Sequence, residues 1–298
     1  MTGGNGFLGK VLCRELLETC ELAVLDKILS QSQPQGVYQL SCDISDISDT
    51  TASDFILAYR PEAIVHLAAI TGVKKCEEDP RKAISVNANG TVNIADLASR
   101  AGALLVFASS REVYGETTGQ STKESDPLNP NNLYGLTKLM GEQVLRWFNR
   151  LRGLRSTILR FTNLYGPSGD QYATNVIMKR ALSNQDITVY GGTQTLNLVH
   201  TQDVARAIAL TLNGNFVGET FNIGAKDSTT VEELVRKILI VTNSRSRILH
   251  AEMRTNETQR FIPSLAKAST VLGFSARIHL EEGLSGLMKY YGSPTDKT

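Results

Sequence analysis

Thr2-Gly3-Gly4-Asn5-Gly6-Phe7-Leu8-Gly9 opens this chain, and Tyr134-Gly135-Leu136-Thr137-Lys138 stands behind it near the middle. Glycines 3, 6 and 9 suit, in that order, a tight turn, a close backbone approach to a pyrophosphate, and close packing of a helix on a strand. The helix that follows would offer free N–H groups and a partial positive charge to the anion. A Tyr four residues before a Lys shares a helix face with it and can hold a phenolate beside a nicotinamide. Each motif alone is weak, since Gly3 and Gly6 suit an ordinary turn equally well. Their order and separation carry the weight, and together they point to redox chemistry.

The 298 residues, 41% of them hydrophobic, can bury one large core or two smaller ones. Lys+Arg 31 against Asp+Glu 30 leaves a net charge of +1, so no global field draws the chain to nucleic acid or anionic lipid. Cys13, Cys20, Cys42 and Cys76 form no Cys-x-x-Cys pair and no metal-ligand pattern with His. Reduced thiols in the cytosol fit best, with no metal site. Apolar runs such as Ile64 to Ile70 stop short of the roughly 20 residues that cross a bilayer, and Met1 leads into glycines rather than a signal-peptide core. The expectation is a cytoplasmic protein without a membrane anchor.

Short apolar runs alternate with helical patterns through the first half, the signature of a parallel sheet wrapped by helices. Leu22–Leu25, Ala63–Leu67, Leu104–Phe107 and Ser156–Leu159 read as buried strands. Leu8, Leu12 and Leu16 mark one helix face, and Val92, Ala95 and Ala98 another. Helix 134–150 has a stripe of Leu136, Met140, Val144 and Trp147, on the side away from Tyr134 and Lys138. The expected class is α/β, a Rossmann-type doubly wound sheet over 1–166 with 199–215 packing back on it. A smaller mixed α/β unit takes 167–298, with helices near 231–241 and 280–290 and a frayed tail, Ser293–Thr298. A pyrophosphate loop should follow a buried strand, yet only Met1-Thr2 precedes this one. Either the first strand is truncated or the sheet has a hole at its centre; truncation is the favoured reading.

Asp26 lies 26 − 6 = 20 residues after the second glycine, at a strand end where a carboxylate can accept both ribose hydroxyls of adenosine. It repels a 2′-phosphate and so favours NAD over NADP, though Lys27 next door softens that repulsion. Asp43, before Ile44, reads as an adenine contact or as a helix cap. Leu67-Ala68-Ala69 are small enough to admit a cofactor against the backbone, and His66 reads as a satisfied core histidine. Ser109 and Ser110 end a strand; Ser110, 24 residues before Tyr134, can relay a proton or hold a substrate oxygen.

The chain resembles the extended short-chain dehydrogenase/reductases of the nucleotide-sugar epimerase/dehydratase family over essentially its whole length. The matching blocks are the glycine loop, His66-Leu67-Ala68-Ala69, Asn87-Ala88-Asn89-Gly90-Thr91, Ser109-Ser110-Arg111-Glu112-Val113-Tyr114-Gly115, and Tyr134 with Lys138. Arg160 through Pro167, Phe221-Asn222-Ile223-Gly224 and Arg254-Thr255-Asn256-Glu257 follow. The resemblance implies Ser110, Tyr134 and Lys138 as catalytic residues, with Glu112 beside them. It implies NAD held by Gly3, Gly6, Phe7, Leu8, Gly9, Asp26, Asp43, Ile44, Leu67, Ala68, Ala69, Asn87, Tyr134 and Lys138. It also implies a nucleotide sugar held by Ser109, Ser110, Asn163 and Arg254, and a homodimer formed through helices 88–101 and 134–150.

Two departures stand out. Gly192-Thr193-Gln194-Thr195-Leu196-Asn197 carries Leu196 where the family places a diphosphate-steadying arginine, and Asn197 where it places a carboxylate. Arg111-Glu112 replaces the dehydratases' Asp-Glu pair, which disfavours 4,6-dehydration. The leading expectation is an NAD-dependent epimerase acting at C4 with Tyr134 as base. The alternatives are a decarboxylase or dehydratase using Glu112, or an NAD-binding protein or fragment without catalysis.

Overall fold

Short apolar runs with no polar face to turn to solvent belong in a parallel sheet covered on both sides. In the computed structural model, which describes residues 1–46, 50–117, 121–254 and 258–292, they form one. Leu22–Asp26, Val37–Ser41, Ala63–His66, Leu104–Ser110, Arg155–Phe161 and Thr220–Ile223 pair in parallel throughout. The expected strands are all present, and Leu104–Ser110 is buried along its whole length. The expected tail Ser293–Thr298 lies outside the described residues.

Met1 and Thr2 stand where the strand ahead of the glycine loop was expected. Thr2 bridges in parallel to Leu25 on one side and His66 on the other. Its N–H donates to the Val65 carbonyl at 3.0 Å, and its carbonyl accepts from the Leu67 N–H at 3.1 Å. This bridge joins the two groups of strands at the middle of the sheet.

Helices cover both faces. Phe7–Leu16 buries Leu8, Leu12 and Leu16 in a cluster shared with Val204 and Ile208 of the Thr201–Asn213 helix. Across the sheet, Thr51–Tyr59, Gly90–Ala101 and Leu133–Arg152 pack over Leu105, Phe107 and Ile158. A third cluster joins Met178, Ile187, Leu234, Ile238 and Leu287, drawing in the helices Ala173–Leu182, Val231–Thr242 and Leu280–Gly292. Among the described residues, no helix is long and apolar enough to cross a membrane.

Most of the apolar stripe of Leu133–Arg152 stays outside the core, with Leu136 44% exposed, Met140 38% and Trp147 42%, while Val144 packs against it. Val92 is likewise exposed, although Ala95 and Ala98 of its helix are buried. The buried face of Leu133–Arg152 carries Gly135, Thr137, Lys138, Gly141, Glu142, Leu145 and Phe148. Small residues there bring the helix close to the sheet; a Cβ on Gly141 would stand 2.6 Å from the Phe107 ring.

Glu142 meets Arg160 of the neighbouring strand in a fully buried, two-pronged pair, Nε–Oε1 2.8 Å and Nη2–Oε2 2.7 Å. Ser109 Oγ donates to the same carboxylate at 2.6 Å, and Arg160 also donates to Tyr114 Oη at 2.7 Å. Removing one partner strands the other charge without solvent. Glu142→Leu is therefore expected to cost about 3–5 kcal/mol, read as a lower urea midpoint at an unchanged slope.

Candidate active site

Parallel strands send their connecting loops out at their carboxyl ends, and ligands settle in the crevice so formed. Here it is a cleft of about 1690 Å³, above the roughly 300–1,000 Å³ usual for one small ligand. Gly3, Gly6, Phe7, Leu8, Gly9, Asp26, Asp43, Ile44, Leu67, Ala68 and Ala69 line it, as do Ser109, Ser110, Glu112, Tyr134, Lys138, Asn163 and Arg254. Of the expected site residues, Asn87 is the exception.

Gly3 has φ +68, and a Cβ on it would sit 2.6 Å from the Ala68 backbone nitrogen, so the turn needs glycine there. Gly9 packs its helix on the loop, where a Cβ would meet the Gly4 Cα at 2.6 Å. Gly6 is the N-cap of Phe7–Leu16, and no side chain caps that end or places an acid in its first turn. The first-turn N–H groups therefore face the cleft as an anion site. Asp26 is tied to the loop, its Oδ2 accepting from the Asn5 N–H at 2.9 Å.

Asp43 is already engaged. Lys27 Nζ lies 2.6 Å from its Oδ2, and Ser45 donates to Oδ1 through N–H at 3.0 Å and Oγ at 2.7 Å. These contacts, Lys27 first, pull its carboxyl down to about 2. Lys27 is thus turned to Asp43. Asn87 is buried behind the cleft wall, accepting from the Ile70 N–H at 2.7 Å and donating to the Ile70 carbonyl at 3.0 Å and Thr137 Oγ1 at 3.0 Å. It holds the 67–70 segment in place. His66 is a core histidine, 2.6 Å from Thr2 Oγ1 and 3.0 Å from Thr91 Oγ1, and burial lowers its pKa to about 3.

Tyr134 and Lys138 lie one turn apart on Leu133–Arg152, whose N-cap Asn132 accepts from the Gly135 N–H at 2.9 Å. Lys138 Nζ donates to the Ala108 carbonyl at 2.9 Å and sits 6.0 Å from the Tyr134 ring centre. Burial lowers its pKa to about 8. Burial, followed by the Tyr172, Glu112 and Cys76 charges, pushes the Tyr134 phenol well above the usual range, against a smaller opposing influence of the Ser110 hydroxyl. Without a further positive charge nearby, the phenol stays protonated at neutral pH.

The Ser109 hydroxyl is committed to Glu142. Glu112 is held at Oε1 by Arg111 Nη2 at 2.7 Å and at Oε2 by Asn132 Nδ2 at 2.9 Å and Thr258 Oγ1 at 3.4 Å. Asn132 carried an N-cap signal ahead of an apolar helix; Thr258 carried no signal at all. Phe7 packs on Tyr172 with ring centres 4.5 Å apart, and Lys75 donates to Gln171, so 171–172 roofs the glycine loop. Arg254 stacks over Tyr190 at 4.1 Å, while the adjoining 255–257 of that motif lie outside the described residues.

Residues 1–224 match the NAD dependent epimerase/dehydratase family, and the chain belongs to it. It is 31% identical to a putative UDP-glucose 4-epimerase of Methanocaldococcus jannaschii, over 97% of each chain. A dTDP-glucose 4,6-dehydratase of Streptomyces niveus is 30% identical over 98% of this chain and 91% of that one. The UDP-glucose 4-epimerase of Thermotoga maritima, solved with UDP-glucose, superposes with TM-score 0.91 at 28% identity, over 98% of this chain and 97% of that one. This is an NAD-dependent enzyme of the nucleotide-sugar epimerases and dehydratases.

The residues present fit NAD: the uncapped helix start suits its pyrophosphate, and the Asp26 carboxylate its adenosine ribose. Asp26→Ala is expected to weaken NAD binding about tenfold or more, the worth of a hydrogen bond to a charged group. Calorimetry with NAD against the parent chain measures it.

Proposed function

We propose that the enzyme inverts C4 of a nucleotide-activated sugar through a transient keto-sugar. One observation carries this: Ser110, Tyr134 and Lys138, the last two one helical turn apart, line a cleft in which Glu112 is already tied to Arg111, Asn132 and Thr258. When bound, NAD supplies the acceptor and donor of hydride, and its positive ring favours the phenolate. Tyr134 then takes the sugar hydroxyl proton, Ser110 orients the oxygen, and the Lys138 ammonium steadies the phenolate. Asn163, through its side-chain amide N–H, and Arg254 serve the nucleotide diphosphate.

The dehydratase relative supports a second reading, elimination assisted by Glu112. Product mass separates the two, because epimerisation leaves it unchanged. We assign 1–166 with 199–215 to NAD and most of 167–298 to the sugar nucleotide. A second copy of the chain covers the exposed Val92, Leu136, Met140 and Trp147, giving a homodimer.

With a panel of UDP-, dTDP- and CDP-sugars, the expected product has the mass of its substrate. Tyr134→Phe is expected to bind NAD normally while losing roughly 10²–10⁴-fold in turnover. Full activity in that variant would remove Tyr134 as the base.

A further inference from the structure

Lys27 and Asp43 stand just past the carboxyl ends of two neighbouring parallel strands, Leu22–Asp26 and Val37–Ser41, and both line the cleft with Asp26. The Asp26 carboxylate is fixed on two sides. Its Oδ2 accepts the Asn5 N–H of the glycine loop at 2.9 Å, and its Oδ1 accepts the Ile28 N–H at 3.3 Å. The second bond closes a tight turn over the backbone of Lys27, so acid and base leave the same turn. The Lys27 carbonyl accepts from Ser41 Oγ at 3.3 Å, which leaves the four-carbon stem to decide where the ammonium goes.

That stem ends on Asp43, with Nζ 2.6 Å from Oδ2. Ser45 holds the other oxygen of the same carboxylate through two bonds, which orients it toward the lysine. The Lys27 side chain is 66% exposed, and an ion pair open to water contributes little to folding. What the pair does fix is the position of a charge. The Asp26 carboxylate suits two ribose hydroxyls but repels the roughly two negative charges of a 2′-phosphate. A free ammonium one residue away would offset that repulsion, whereas one neutralised by Asp43 offsets much less of it.

We propose that Asp43 is a specificity-determining residue: by holding the Lys27 ammonium away from the ribose that Asp26 reads, it keeps the chain selective for NAD over NADP. The inference rests on the place given above to Asp26 and not on the sugar chemistry. Calorimetric titration with NAD and with NADP at low salt tests it, read as the ratio of the NADP to the NAD dissociation constant. Asp43→Asn keeps an acceptor for Ser45 and releases Lys27, so the ratio is expected to fall about tenfold. Lys27→Met is expected to raise it, and the double variant to return it near the parent value. A contact of Asp43 with adenine would weaken both dinucleotides alike and cancel in the ratio. Should Asp43→Asn fail to fold, the rise in Lys27→Met still decides. A ratio unmoved by either single substitution, or a fall that persists in the double variant, overturns the proposal. Unchanged NAD affinity in Asp26→Ala would overturn it as well, by removing the ribose contact. The readout is binding, so an enzyme inactive on every sugar tried would count against the proposed function and leave this inference standing.

Discussion

The seating of the Leu133–Arg152 helix on the end of the Leu104–Ser110 strand is the constraint on which the site depends. Four successive contacts fix it. A Cβ on Gly135 would stand 2.3 Å from the Glu112 carbonyl oxygen, Lys138 reaches the Ala108 carbonyl, Gly141 lies on Phe107, and Glu142 takes the Ser109 hydroxyl. Positions 135, 138, 141 and 142 recur at the spacing of one helix face, so the helix cannot slide or turn without breaking several contacts together. Tyr134 and Ser110 come to the same cleft because of this register. The buried Arg160–Glu142 pair holds the same joint from the next strand, which links the stability of the fold to the geometry of the chemistry.

Burial sets the electrostatics of that joint, and it works against both partners. It disfavours the charged form of each group, lowering Lys138 to about 8 and raising Tyr134. At neutral pH the lysine keeps its proton, and the phenol keeps its own more firmly. A positive charge entering the cleft would offset part of the cost of ionising the phenol.

Much of this was legible in the chain. Strands came from unbroken apolar runs, Asp26 from its distance to the second glycine, and the Tyr134–Lys138 face from helical spacing. The stripe from Leu136 to Trp147 was legible as apolar but not as exposed, because a helix that packs through Gly135 and Gly141 gives the sheet its small side and leaves its large side outward. Asn87 was visible as a block near the cofactor, but its bonds to Ile70 and Thr137 join segments far apart in sequence, which no local spacing announces. The Arg160–Glu142 pair joins a strand to a helix eighteen residues away in sequence, and no local pattern announces such a contact.

The 192–197 segment shows how a departure from the family can be structurally coherent. Asn197 Nδ2 donates to the carbonyls of Ala225 and Asp227 at 2.8 and 3.3 Å, while its Oδ1 accepts from the Ala225 N–H at 2.9 Å. An amide can do both, whereas a carboxylate cannot donate and would face the same carbonyls with like polarity. Leu196 beside it lines the cleft wall without charge. The cleft lining also includes Arg254, beyond the end of the Ile248–Ala251 strand, whose guanidinium rests on the Tyr190 ring, close enough for its charge to gain from the aromatic face. Asn197 thus fills a hydrogen-bonding place that a carboxylate could not.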